Sequence, residues 1–254
     1  AVCGACTVSN DQEAAIGARD AAQINAPLPI IDDPDVAGYV AQIGNSIAAK
    51  TPRADLAWHF YVVNTSDVNA FALPGGFIYV NRGLIEQTDK LDELAGAIGH
   101  EIGHVVRRHA VDQMKKQTGA QIGVSLACTL THLCDSRASQ VVINAAGSAL
   151  FAKYTRQDEA EADSEAVVNA VAAGYDPRGV PELFRILLRE RERAPSKLDA
   201  FFASHPLEEA RITATENQIR QVDPSRLERL VVDDSSFHTF KAALGRVPVV
   251  REQT

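Results

Sequence analysis

The stretch His100-Glu101-Ile102-Gly103-His104 constrains this chain more than any other, because its residues can act together only on a helix. Residues four apart share a helix face, so His100 and His104 can present two imidazoles to one metal ion. Glu101 stands about 100° around the helix from His100. Its carboxylate would lie beside that ion, where it can take a proton from an attacking water. The flanks support a helix. Thr88 or Asp89 offers an N-cap oxygen, Asp92 and Glu93 put negative charge in the first turn, and Arg107 and Arg108 put positive charge at the end. Leu91, Leu94, Ala95, Ile98, Ile102, Val105 and Val106 recur at helical spacing. A five-residue pattern also arises by chance in unrelated helices, so the rest of the chain has to supply the remaining parts of a site.

Gly96, Gly99 and Gly103 each cost up to about 1 kcal/mol relative to Ala inside a helix. Their presence implies close approach by another backbone or by substrate. A catalytic zinc site needs a third protein ligand and keeps one position open. Asp158-Glu159-Ala160-Glu161-Ala162-Asp163 offers one, with Glu159 and Asp163 again four apart. Glu159 is the candidate ligand. Asp163 is the candidate acceptor for the far ring nitrogen of a metal-bound His. Without the His pair the same run would read as a solvated acidic face at a helix start. Ala160, Ala162 and Ala166 form a small-residue surface that could lie against the three glycines.

The combination of His100-Glu101-x-x-His104 with Glu159-Ala160-Glu161-Ala162-Asp163 resembles the gluzincin peptidases that include the CaaX prenyl protease, HtpX and BepA. Asn69-Ala70-Phe71-Ala72-Leu73-Pro74-Gly75-Gly76 is similar to that family's strand upstream of the zinc helix. Tyr154-Thr155-Arg156 precedes the acidic motif, and Ser204-His205-Pro206 followed by Arg211 is similar to the family's downstream His-Pro element. The similarity runs from about Gln12 to Gln221, with the motifs in the family's order. It implies zinc on His100, His104 and Glu159, with Glu101 as general base. It also favours His205 as a fourth zinc ligand, where the residues alone leave three roles open: ligand, oxyanion donor or helix cap.

No run of 18 or more apolar residues is present, so no transmembrane helix is expected and the soluble, BepA-like branch fits better. CaaX processing is therefore not carried over, and neither are scaffold functions that depend on a helical repeat array. A net charge of −8 argues against nucleic acid or an anionic membrane surface as partner. The expected partner is a polypeptide substrate. Cys128 and Cys134 could close a short disulfide loop, as could Cys3 and Cys6, and a zinc knuckle using His132 is the weaker alternative. Because the chain starts at Ala1, a processed form is expected, with its signal peptide removed and a bacterial periplasmic location.

The coarse order of elements is α+β, mainly helical, with a small antiparallel or mixed sheet beside the zinc helix, in one metallopeptidase domain spanning 1–254. Ser9 and Gln12 form a capping box ahead of a helix to about Ile24. Asp33-Pro34 opens a second helix whose apolar stripe is Val36, Val40, Ile43 and Ile47. Residues 58–63 read as a strand, and residues 69–73 and 77–80, joined through Pro74-Gly75-Gly76, as a second strand pair or a bent strand. The zinc helix is followed by a helical region to about Ala152, the Glu159 helix to Gly174, and helices after Asp176-Pro177 and Pro206. Arg185, Arg189, Arg191 and Arg193, interleaved with Glu190 and Glu192, predict a salt-bridged helix face. The tail from Val231 to Leu244 has no assignment.

Extended substrate would pair with Asn69, Ala70, Phe71 and Ala72 by strand addition. His205, Tyr154 and Arg211 are the candidate oxyanion donors. The competing functional reading is a zinc-dependent peptide-binding or chaperone module with silent peptidase activity. The intact Glu101 argues against it, since a purely structural site has no use for a base.

Overall fold

The computed structural model describes residues 8–117, 153–206 and 209–249. All four cysteines, and with them both disulfide readings and the zinc-knuckle alternative, lie outside the described residues, as does most of the helical region expected up to Ala152.

The N-terminal pair of helices forms as its signals require. Helix α1 (Asn10–Asn25) begins with the Ser9/Gln12 capping box closed in both directions. Helix α2 (Pro34–Ala48) starts behind an Asp33 cap, and Val36, Val40, Ile43 and Ile47 are all buried. Three strands follow: β1 (His59–Val63), β2 (Ala70–Leu73) and β3 (Phe77–Asn81). Their order is β1-β3-β2, with β1 parallel and β2 antiparallel to β3. The sheet is therefore mixed. The β2–β3 turn needs Gly75 (φ 78) and Gly76 (φ 99) in the left-handed region. Strand β2 is an edge strand, its outer side unpaired among the described residues.

After the short α3 (Arg82–Gln87) comes the central helix α4 (Leu91–Val106), buried from Leu91 through Val105. It packs against α6 (Arg156–Ala173), α7 (Gly179–Arg193), α2 and the sheet. Each fully buried aliphatic, such as Ile98 or Ile102, is worth about 1.5–3 kcal/mol relative to exposure. The N-terminus of α4 corrects the expected cap. Thr88 Oγ1 donates to the Ile85 carbonyl instead, and the Glu93 carboxylate accepts from the N–H groups of Asp89 (2.6 Å) and Lys90 (3.1 Å). The unassigned tail finishes the job. The carbonyl of Val232 accepts from Asp92 N–H, and Asp233 Oδ1 accepts from Leu91 N–H. Behind it, α11 (Ser235–Arg246) buries Phe237 and Phe240 in the core.

The glycines of α4 mark close crossings, as expected, but with a changed partner at one of them. A Cβ on Gly103 would stand 2.7 Å from the Ala162 carbonyl oxygen, and one on Gly99 would touch Ala166. Gly96 instead faces Val180 of α7, and Ala160 is exposed. Helix α6 ends at Gly174 with φ 95, the left-handed cap its sequence predicts.

The charged face of α7 is partly salt-bridged, with one of the expected acids, Glu190, among the partners. Arg185 pairs with Glu182 and with Glu216 of α9 (Glu209–Ile219), Arg193 pairs with Glu190, and Arg191 lies over the Phe202 ring. Between α7 and α9 lie a single 3-10 turn (Pro195–Lys197) and the short α8 (Asp199–Ser204). After α9 comes the short α10 (Pro224–Leu227).

Candidate metal centre

The i,i+4 geometry of α4 brings His100 and His104 together, with Nε2 atoms 3.0 Å apart. Helix α6 crosses at Gly99 and Gly103, which have no side chains to hold it off, and this sets Glu159 against the pair. Glu159 Oε1 lies 3.4 Å from His104 Nε2, and Oε2 lies 3.6 Å from His100 Nε2. His205 completes the cluster, its Nδ1 3.0 Å from Glu159 Oε1 and 3.4 Å from His100 Nε2. Ligand atoms of His100, His104, Glu159 and His205 all lie within 4.8 Å of one another, and all four residues are buried. Three imidazole nitrogens and one carboxylate oxygen form the donor set that zinc favours. Glu101 also buries one carboxylate oxygen, Oε2, without a hydrogen-bond partner. Such atoms are costly unless something else satisfies them, and a cation among these donors would do so.

His205 sits elsewhere in its chain segment than expected. It is the C-terminal cap of α8, its N–H donating to the Phe201 carbonyl, rather than the residue ahead of a helix opened by Pro206. The proline explains this, since it drives the preceding residue out of the α region, here to φ −117 and ψ 88. The His205 ring stacks on Phe201, and its Nε2 is 3.7 Å from Glu101 Oε1.

Around the donors stands a layer of charged groups. His100 Nδ1 is 2.9 Å from Asp163 Oδ1, close enough for the expected pairing, although the N–H is not aligned as a full hydrogen bond. Arg211 grips Asp163 with Nε and Nη2 at 2.8 and 2.7 Å. Its Nη1 donates to the Pro206 carbonyl and lies 2.5 Å from Glu159 Oε2. Every nitrogen of Arg211 is thus engaged by the protein. That is the arrangement of an anchor for the two carboxylates, not of a free oxyanion donor. The ring of Tyr154 stacks on His104 with centroids 3.8 Å apart.

The electrostatics follow the burial. Burial holds His104 well below its ordinary value, which keeps it in the neutral form that ligates metals. Burial alone would raise Glu159, but the imidazoles of His205, His104 and His100 hold it well below the usual carboxylate range. Burial raises Glu101, against the pull of His205 and His100, as suits a group meant to accept a proton. It also pushes the Tyr154 phenol well up, with the charges of Glu101 and Glu159 adding to the effect, so the hydroxyl keeps its proton and remains a donor.

A narrow, partly open cleft runs from His104 and Tyr154 to Ala72, Leu73 and Pro74 at the end of β2. The candidate substrate strand therefore ends beside the metal ligands. Asn69, the first residue of that stretch, lies just ahead of β2 and buries its Oδ1 without a partner.

Sequence reading passed over two features of this site. His109, at the start of α5 (His109–Gln117), meets His104 at 2.9 Å between their Nδ1 atoms. Glu13 of α1 is buried and held by Arg53, by Arg108 and by the Gly75 N–H, which ties the β2–β3 turn to the end of α4. A third histidine five residues past the motif was the available signal for His109; nothing local pointed to Glu13.

Residues 34–219 match peptidase family M48. The chain is 31% identical to a beta-barrel assembly-enhancing protease of Yersinia pestis, over 86% of this chain and 46% of the relative. It is 27% identical to the beta-barrel assembly-enhancing protease of Escherichia coli K12, over 93% of this chain and 49% of that one. The mitochondrial metalloendopeptidase OMA1 of Schizosaccharomyces pombe is 28% identical over 74% of this chain and 54% of its own length. The chain thus spans about half the length of these relatives.

Proposed function

This chain belongs to peptidase family M48, and on that premise we propose that it is a zinc-dependent metalloendopeptidase with Glu101 as its general base. One observation carries the reading: the buried convergence of His100, His104 and Glu159 donors beside a Glu101 carboxylate that none of them needs as a ligand. Zinc bound by those three residues would supply Lewis-acid polarisation of the scissile carbonyl and a more acidic attacking water. Glu101 takes the proton from that water and returns it to the departing amine. Tyr154, whose phenol stays protonated, is the favoured oxyanion donor, since Arg211 is committed to Asp163 and Glu159. Asp163 orients His100. Substrate lies extended along the outer edge of β2, beside Asn69, Ala70, Phe71 and Ala72, and delivers its scissile bond near His104.

A latent form of the same enzyme, or a silent peptide-binding module, is the second reading. It is supported by His205, whose ring nitrogen clusters with the donor atoms of His100, His104 and Glu159 and could serve as a fourth protein ligand. Among the described residues no helix is long and apolar enough to cross a membrane. The similarity to relatives named for β-barrel assembly supports a role in protein quality control of the bacterial envelope, in the periplasm.

The deciding experiment is Glu101→Gln with zinc content and casein hydrolysis measured on the same preparation. Full zinc with hydrolysis reduced by orders of magnitude is expected. Undiminished cleavage by that variant would end the proposal.

A further inference from the structure

We infer that His109 is a positioning residue for the metal centre, the hydrogen-bond acceptor that fixes the tautomer and ring orientation of His104. This rests on the metal reading above. Helix α4 ends at Val106, Arg108 takes φ 60, and α5 begins at His109. That tight turn folds the His109 ring back onto His104, with ring centroids 5.0 Å apart and planes at 72°. Both side chains are buried, 1% and 4% exposed.

Two Nδ1 atoms 2.9 Å apart can bond only if one carries a hydrogen and the other a lone pair. The far side of His104 decides which. Its Nε2 points into the donor cluster, toward His100 Nε2 and Glu159 Oε1, so that nitrogen must offer its lone pair to a metal. A neutral imidazole with a free Nε2 carries its proton on Nδ1. His104 Nδ1–H is therefore the donor and His109 Nδ1 the acceptor.

The proton of His109 then belongs on Nε2. That atom is buried without an aligned partner, 3.5 Å from Glu161 Oε2 and 3.9 Å from Asp158 Oδ1. Both carboxylates favour a proton there. Asp158 is itself fixed, since its Oδ2 accepts from the Thr155 N–H in the capping box of α6. The helix start that carries Glu159 thus also holds the group behind His109. The two histidines of α4 are backed differently, His100 by the Asp163 carboxylate and His104 by a neutral ring.

The test is zinc affinity of the chain, measured by competition with a chromophoric chelator, with the melting temperature of the metal-free protein recorded in parallel. His109→Leu keeps the bulk and removes the acceptor, and should weaken zinc roughly 10–100-fold, the usual cost of losing an outer hydrogen-bond partner. His109→Asn should stay near wild type, because its Oδ1 falls where the imidazole Nδ1 was. Unchanged affinity in His109→Leu would overturn the inference. So would a His109→Asn variant as weak as His109→Leu, which would make His109 a packing residue. Nitrogen-15 histidine spectra of the zinc-loaded wild type give an answer free of variants: protons on His104 Nδ1 and His109 Nε2 are expected, and the reverse pattern at His109 is incompatible with the inference. A wild type that binds no zinc would instead overturn the metal centre itself.

Discussion

Arg211 and Asp163 form a two-pronged pair, Nε to Oδ2 at 2.8 Å and Nη2 to Oδ1 at 2.7 Å, buried directly behind the candidate metal ligands. Both partners lie on helices that meet only in the folded chain, α9 and α6. Removing the guanidinium would leave Asp163 and Glu159 as buried charges without their cation. Arg211→Met is expected to cost about 3–5 kcal/mol, the range for breaking a buried pair from one side. Arg211→Lys should recover only part of this, since an ammonium cannot grip both oxygens in a plane. Urea unfolding of the metal-free variants measures it, and a loss well under 1 kcal/mol would show the pair to be dispensable.

Gly103 sets the distance between the two helices that carry the ligands. Helix propensity favours Ala over Gly by about 1 kcal/mol, so propensity alone predicts that Gly103→Ala stabilises. The added methyl would stand 2.7 Å from the Ala162 carbonyl oxygen, a backbone atom that can yield only if α6 moves. Overpacking of this kind costs about 1–3 kcal/mol and should prevail. Gly38→Ala is the internal control, because a Cβ there meets nothing within 4 Å. Thermal melts should move in opposite directions for the two variants, with zinc affinity reduced only in Gly103→Ala.

Asp92 makes stability depend on pH. Burial raises its carboxyl to about 7, with the charges of Glu93 and Asp176 adding to the effect, and its Oδ1 has no aligned partner. In the unfolded chain an Asp titrates near 3.9. Between those values the folded state holds the proton more tightly, so this residue's contribution is present below about pH 4 and is lost as pH rises through about 7. Asp92→Asn should flatten that fall and leave the protein more stable than wild type at neutral pH. Denaturation midpoints across the window check it. A steeper decline in the variant would contradict the assignment.

His205 should restrain the enzyme. Its Nδ1 lies among the three candidate ligands, 3.0 Å from Glu159 Oε1 and 3.4 Å from His100 Nε2. His205→Ala is expected to raise casein hydrolysis severalfold while zinc remains bound through the other three residues. A fall in turnover at constant zinc content would instead make His205 a stabiliser of the transition state.

What could be read from the sequence is what short-range geometry governs. The shared face of His100 and His104 follows from a four-residue spacing, as does the shared face of Glu159 and Asp163. The Ser9 capping box, the Asp33 cap with Pro34 and the left-handed Gly174 each depend on a few neighbouring residues, and each forms as expected. Even the glycines of α4 announced a close crossing. Tertiary structure alone decided what crossed and what backed the site. Val180 took the place opposite Gly96, the tail at Val232 and Asp233 capped the distant helix start at Leu91, and His109 turned back onto His104. These contacts join side chains whose separation along the chain, or whose turn geometry, carries no periodic signal. Burial of apolar surface drives the helices together without specifying direction, and which polar groups then meet is settled by which arrangement leaves fewest of them unpaired.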